Sequence, residues 1–232
     1  MFIIDKISIL KKKLRSIKTS YSFGGVDLLV DYFFKNRKKG IYLDIGCQHP
    51  VSNNNTYLLY KRGWRGVNID LDKKNIHLFN LSRPDDLNIN ATISAKKTNK
   101  KLFFYHAGSA INTVEKANAK FQKVKHKEIK TVTTTTINDI LSSTPYKKID
   151  YVSIDVEGHE YDVLKGFNLK KYSPDIVSIE FLDFSMKKLE FKNNKLNNVL
   201  NSRIYKHMIK NRYSFINWSH ADLIFVRNKI RD

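Results

Sequence analysis

The run Ile41–Asp70, IYLDIGCQHPVSNNNTYLLYKRGWRGVNID, decides the fold. It opens with an apolar stretch ending in Asp44 and Gly46, and it closes with another, Arg65 to Asp70, that again ends in a carboxylate. Between them lie a turn-rich loop (CQHPVSNNN) and a helical segment from Thr56 to Arg62. Strand, loop, helix, strand within about thirty residues is a βαβ unit, with a right-handed crossover. Open α/β sheets made of such units bind ligands outside the carboxyl ends of their strands. Gly46 there lets a ligand approach the backbone. Asp70, at the tip of the neighbouring strand, is placed to accept hydrogen bonds from both ribose hydroxyls of a nucleoside cofactor. The plainer alternative for Asp70 is a cap on the next helix. Cys47, Gln48, His49 and Pro50 stand where a phosphate-binding fingerprint has its further glycines. A pyrophosphate is then poorly cradled, which points away from NAD and toward a nucleoside cofactor without phosphates.

Further along, Tyr151–Gly166 reads YVSIDVEGHEYDVLKG. Tyr151, Val152 and Ile154 form a short apolar run of the kind buried in parallel sheets. Asp155, Glu157, His159, Glu160 and Asp162 follow at once, with Gly158 for a sharp turn, and a helical period begins at His159. Carboxylates at a helix start can simply cap it and complement its dipole. A cluster that also holds a histidine and a glycine at a strand edge points to chemistry.

The remaining elements fall in place around these two. Residues 2–17 have a helical apolar spacing (Ile3, Ile7, Leu10, Leu14, Ile17) on an otherwise basic surface. Val26 to Phe34 reads as a short helix and residues 72–81 as another. Leu87 to Ile93, Leu102 to His106, Lys130 to Thr136 and Asp175 to Glu180 read as strands, with Lys96 to Lys101 a lysine-rich loop. Tyr213 to Trp218 and Leu223 to Val226 make a closing pair. Residues 1–39 are expected to be a helical appendage to a domain spanning 40–232. Segments 107–127 and 185–200 are polar, expected to be mobile, and expected to contact an acceptor.

At 232 residues the chain is long enough for one sizeable core. Lys plus Arg is 42 against 22 for Asp plus Glu, a net charge of +20, which invites a polyanion or an anionic membrane as partner. Most of the excess is lysine interleaved with asparagine (KKTNKK, KNNKLNN), and arginine, the bidentate phosphate ligand, is scarce. Nucleic-acid binding is therefore not the expectation. The basic amphipathic N-terminal helix suits either peripheral membrane contact or a homodimer. No apolar run is long enough to span a bilayer, and Asp5 and Lys6 spoil a signal peptide. The single cysteine, Cys47, makes no internal disulfide, so a cytoplasmic setting is expected, with membrane association as an option. No CxxC, HExxH, GxSxG or P-loop lysine motif is present.

The sequence resembles the FkbM-type family of S-adenosylmethionine-dependent methyltransferases from about Ser20 to Val226. IDVEGHEYDVLKGF (Ile154–Phe167) carries the likeness most specifically. LDIGCQHPVSNNNTYLLYKRGWRGVNID (Leu43–Asp70) is similar to the family's DIGA-type motif and its NTYxLYxxGWxGxxI segment. NINATIS with the downstream SAINTV is a weaker third part. The resemblance implies a Rossmann-like class I methyltransferase fold, α/β, with a seven-stranded, mostly parallel sheet whose last strand is antiparallel. It implies S-adenosylmethionine as cofactor. Asp44, Gly46 and Cys47 would lie at its methionine end, Asp70 and Leu71 at the ribose, Asn90 and Ala91 near the adenine, and Asp155 beside the sulfonium. Cys47–Gln48 replaces the more usual Ala–Asn, and SFGGVD (Ser22–Asp27) departs from an SQxGED-like motif.

The family is associated with O-methylation, often of hydroxyls in sugars, surface polysaccharides and glycolipid precursors. A hydroxyl needs a base as it attacks a methyl group. His159 is a candidate because an imidazole titrates near neutral pH. Asp155 and Glu157 are rival bases or orienters, and Asp155, Glu157 and His159 together are candidate ligands for a hard cation such as magnesium. The alternatives are an RNA-directed methyltransferase, suggested by the charge, and a non-catalytic adaptor, suggested by the changes at Cys47. Against the first, the fourth main strand ends in IDVEG rather than an NPPY-like edge, and the fifth ends in Glu180 rather than lysine.

Overall fold

The computed structural model describes residues 2–16, 18–122, 124–181 and 196–230. Most of the segment 185–200 lies outside the described residues. In chain order the elements are helices α1 (Phe2–Ser16) and α2 (Val26–Phe33), strand β1 (Ile41–Ile45), α3 (Tyr57–Lys61), β2 (Arg65–Asp70), α4 (Lys73–Ser82), β3 (Leu87–Asn90), β4 (Thr92–Ile93) and β5 (Asn99–Phe104). There follow α5 (Lys116–Phe121), β6 (Glu128–Thr135), α6 (Ile137–Ser142), β7 (Tyr151–Ile154), α7 (Glu160–Lys165), α8 (Leu169–Tyr172), β8 (Ile176–Glu180), α9 (Leu196–Asn201), α10 (Arg203–Lys210), β9 (Tyr213–Ser219) and β10 (Asp222–Arg227).

The main sheet has seven strands in the order β3-β2-β1-β7-β8-β10-β9. β3, β2, β1, β7 and β8 pair in parallel. β10, last in the chain, runs antiparallel to both β8 and β9. The doubly wound, mostly parallel sheet implied by the resemblance is thus the fold. From β1 the chain winds outward to β2 and β3, and later returns beside β1 as β7. The tips of β1 and β7 form the switch point where a doubly wound sheet opens its binding crevice.

Strand side chains alternate between two buried faces, because successive residues point to opposite sides of a sheet. Leu43, Ile45, Val152, Ile154, Val177 and Ile179 pack on one side with Ile137, Val163, Leu164 and Met208 from the helices. Tyr42, Tyr151, Ile176 and Ile224 pack on the other with Val26, Val30 and Phe34, Leu59 and the fully buried Trp64. Each such apolar side chain contributes about 1.5–3 kcal/mol by leaving water. The helix α2, inside the expected appendage 1–39, therefore forms part of the sheet's second face. On α1, by contrast, Ile7, Ile9 and Leu10 are exposed.

Two strand expectations change. Leu87–Ile93 is not one strand: β3 pairs with β2, but β4 pairs with β6 in a separate three-stranded sheet, β4-β6-β5. The break falls at Ala91, where Asp70's carbonyl accepts both the Ala91 N–H (3.0 Å) and the Asn90 side-chain amide (2.9 Å). The chain is thereby turned across the tip of β2. The lysine-rich loop expected at 96–101 instead supplies the first half of β5, paired antiparallel with β6 from Asn99 to Phe104. Lys96 and Lys97 stay in a bend as the loop reading had it, whereas Lys100 and Lys101 lie within the strand.

Candidate active site

A cavity of about 250 Å³ lies along the carboxyl ends of β1, β2, β7 and β8 and reaches the start of β10. Its wall includes Gly46, Asp70, Leu71, Ala91, Asp155, Glu157 and His159 from the sequence-derived candidates. Asp44, Cys47 and Asn90 do not line it. Asp44 is buried behind the wall, where one carboxylate oxygen accepts from Asn54 Nδ2 (3.0 Å) and Thr56 Oγ1 (2.8 Å). Burial raises its pKa, opposed by the nearby charge of Arg83. The Cys47 side chain turns away and packs with Ile76 and Phe79, so burial pushes its thiol far above the ordinary range. The Asn90 amide is spent on the Asp70 carbonyl.

Gly46 sits at φ +77, and a Cβ there would overlap the Asp155 carbonyl at 1.6 Å. Only glycine lets the tips of β1 and β7 meet so closely, which sets the β1 end of the cavity directly against Asp155. Asp70 is held by two backbone amides, Gln48 N to Oδ2 (2.9 Å) and Asp72 N to Oδ1 (2.7 Å). Burial still raises its pKa to about 6, against the pull of those bonds. Its position is fixed while its remaining lone pairs face the cavity.

The loop from Cys47 to Thr56 is shaped from beneath by Arg83, a fully buried arginine. Its Nε donates to the Pro50 carbonyl (2.9 Å), Nη1 to Thr56 Oγ1 (2.8 Å) and Nη2 to Asn54 Oδ1 (2.7 Å). Neither Arg83 nor this loop scaffold was legible in the sequence, where Arg83 is one basic residue before a proline.

On the other side the carboxylates crowd. Ligand oxygens of Asp155, Glu157 and Glu180 all lie within 4.8 Å of one another. Asp155 is open to the cavity; the desolvating protein around it, and then the neighbouring Glu157 and Asp222, raise its pKa. Glu180, at the tip of β8, is raised by burial and then by Asp155. Glu157 is raised by burial, opposed by the bond from Asn118. Asp222, at the start of β10, is raised to about 7 by burial, opposed by Asn55. Glu180 and Asp222 were missed as site residues. Glu180's place at the tip of a strand beside β7 was the available signal.

Glu157 adopts a left-handed backbone (φ 58) and Gly158 another (φ 95), which turns the chain sharply out of β7. Glu160 Oε1 accepts the Val156 and Gly158 amides (3.1 and 2.9 Å), so this carboxylate builds the turn. The segment after β5, expected as a mobile lid, is fastened at two points. Asp72 Oδ2 accepts the Gly108 amide (2.6 Å), while Glu157 O accepts Thr113 Oγ1 (2.9 Å) and Asn118 Nδ2 (2.6 Å). Ser109, Asn112 and Val114 thereby form part of the cavity wall.

His159 is only 2% exposed. Its Nε2 is 3.0 Å from Ser94 Oγ, and its Nδ1 faces Asp162 at 3.4 Å and Glu115 at 3.7 Å. Burial lowers its pKa, with Lys100 adding to the effect and Asp162 opposing it. A neutral ring bonded to Ser94 is a wall element; its Nε2 is already engaged.

Among curated proteins none matches the sequence. The fold is similar to a crystal structure of a TehB-like SAM-dependent methyltransferase from Corynebacterium glutamicum, at 11% identity and a TM-score of 0.44, covering 96% of this chain and 97% of that one. It is also similar to monomeric WbdD, at 13% identity and a TM-score of 0.42, covering 88% of this chain and 40% of that one. Scores this low carry no functional argument. The decisive match is in the sequence: residues 44–214, well over half of the chain, match the Methyltransferase FkbM domain, and they contain Gly46, Asp70, Asp155 and Glu180. The chain belongs to the FkbM methyltransferase family.

Proposed function

We propose that the chain is an S-adenosylmethionine-dependent O-methyltransferase acting on a hydroxyl of a neutral sugar, as a free saccharide, polysaccharide precursor or glycolipid precursor. One observation carries the choice of acceptor. In a chain of net charge +20, the cavity wall holds five carboxylates (Asp70, Asp155, Glu157, Glu180, Asp222) and, among the described residues, no lysine or arginine. A phosphate-rich acceptor such as RNA would meet repulsion there. A polyhydroxyl compound would find acceptors in the carboxylates and donors in Asn53, Asn55 and Asn112.

The residues present fit the cofactor. Gly46 would close the methionine side against Asp155, Asp70 with Leu71 beside it would meet the ribose, and Ala91 would offer an apolar contact for the adenine. The cofactor supplies, when bound, an electrophilic methyl group on a sulfonium. Methyl transfer from it to the acceptor oxygen would leave the sulfur's electron pair on the cofactor and would require the hydroxyl proton to be taken up by the protein. The hydroxyl proton passes to a carboxylate of the Asp155–Glu157 pair. Desolvation raises both pKa values, and Glu157 and Asp222 raise that of Asp155 further, which makes each carboxylate a stronger proton acceptor than a free one. His159 then serves as wall and orienter.

The exposed Ile7, Ile9 and Leu10 beside Lys11, Lys12 and Lys13 on α1 support a lipid-linked acceptor. Sedimentation with anionic vesicles tests this part, since a chain that stays in the supernatant removes the lipid-linked branch. No helix among the described residues is long and apolar enough to cross a membrane. The central test is transfer of a labelled methyl group to neutral oligosaccharides, nucleotide sugars and RNA side by side. Labelling of RNA with none on any saccharide would overturn the reading.

A further inference from the structure

We infer that Asp155, Glu157 and Glu180 form a binding site for one hard divalent cation. Their ligand oxygens converge within 4.8 Å of one another at the tips of β7 and β8. Two oxygens on opposite sides of one ion stand about 4.2 Å apart for magnesium and about 4.8 Å apart for calcium, from metal–oxygen distances of about 2.1 and 2.4 Å. Only one pair of the three can stand opposite, so the cluster is close enough to share an ion once its side chains draw together around it.

An acidic cluster alone does not make a site, and a second observation points to a ligand. Glu180 is 9% exposed and lines the cavity, yet among the described residues no donor group meets its Oε2, whose only polar neighbour is the Asp155 carboxyl. A buried carboxylate oxygen without a donor costs several kcal/mol unless a cation or proton meets it. A single shared proton can join Asp155 to Glu180, but it does not reach Glu157, whose Oε2 accepts only from Asn118 Nδ2 (2.9 Å) among the described residues. The strongest charged influences on Asp155 and Glu180 are other carboxylates, Asp222 and Glu160 included. Glu160 is not a fourth ligand through Oε1, which is committed to the Val156 and Gly158 amides. The all-oxygen set suits magnesium, manganese or calcium over zinc. The ligand set differs from the one the sequence suggested, because Glu180 replaces His159.

The binding itself is independent of the methyl-transfer reading. Its consequence rests on that reading: an ion here would ligate the acceptor hydroxyl, lower its pKa, and ease loss of its proton to a carboxylate oxygen outside the ion's reach.

The experiment titrates Mn²⁺ into the full, cofactor-free chain near neutral pH, following the spin-resonance signal of the free ion, with Mg²⁺ and Ca²⁺ as competitors. One Mn²⁺ per chain is expected, saturating below about 1 mM and displaced by either competitor. Glu180→Gln and Asp155→Asn should each weaken binding at least tenfold. Both remove a charge from a crowded cluster, so the metal-free variants should melt no lower than the parent, which verifies their folding. Absence of saturable binding, or binding that both variants leave unchanged, overturns the site. Calorimetry with S-adenosylmethionine separates the two claims. Cofactor binding without metal binding removes only the cation site; metal binding without cofactor binding removes the methyl-transfer reading and leaves the cation site standing.

Discussion

The two halves of the cavity treat carboxylates in opposite ways. On the β1–β2 side each one is bonded to neighbouring groups. Asp70, in the wall, accepts from the Gln48 and Asp72 amides, and Asp44, buried behind the wall, accepts from Asn54 and Thr56. On the β7–β8 side Asp155, Glu157 and Glu180 face one another, and among the described residues no donor group meets Glu180 Oε2. A bonded carboxylate is a fixed acceptor, suited to positioning a ligand that does not react. A crowded one holds its proton more tightly and has capacity left for a proton or a cation. The first half is a mould and the second is a reactive edge.

That contrast can be broken at four points. Asp155→Asn should lower methyl transfer by about 10²–10⁴-fold, the usual loss of a general base, while calorimetry shows cofactor binding intact. If cofactor binding fails in proportion, Asp155 belongs to the mould. Arg83→Met should destabilise the protein by about 3–5 kcal/mol in denaturant unfolding, because Asp44 keeps its buried charge while Asn54, Thr56 and the Pro50 carbonyl lose their donor. A loss under 1 kcal/mol would show that the loop from Cys47 to Thr56 stands without it. Asp70→Ala should weaken cofactor binding by about 10–100-fold, matching charged hydrogen bonds worth about 1.5–3 kcal/mol, and should lower fold stability by about 1–3 kcal/mol as the Gln48 and Asp72 amides lose their acceptor.

The smallest effect concerns pH. Asp222 in the folded state titrates near 7, above the unfolded value near 4. The folded chain therefore holds the extra proton in that window, and Asp222 costs stability increasingly as pH rises through it. Asp222→Asn should melt about 2–4 °C above the parent at pH 8 and level with it at pH 4. An advantage that shrinks with rising pH would contradict the sign argued for the reactive edge.

Much of this was legible beforehand because strands and their tips are local patterns. Ile41–Asp70 and Tyr151–Gly166 announce strand, turn and helix through apolar runs followed by glycine and acid. The break at Ala91 was not legible, since it depends on the Asp70 carbonyl lying across the chain. His159 illustrates the same limit. Its residue type suggested a base, whereas its burial against Ser94 makes it part of the wall.

By itself the sequence determined the α/β sheet, the switch-point glycine Gly46, the strand-tip Asp70 and the acidic turn after β7. Each is fixed by the order of residues within one element. Tertiary structure alone decided that Cys47 turns away from the cavity, that Arg83 supports its floor, and that Glu180 and Asp222 join Asp155 and Glu157. Those contacts link residues far apart in the chain, and no local periodicity encodes which strand tips become neighbours.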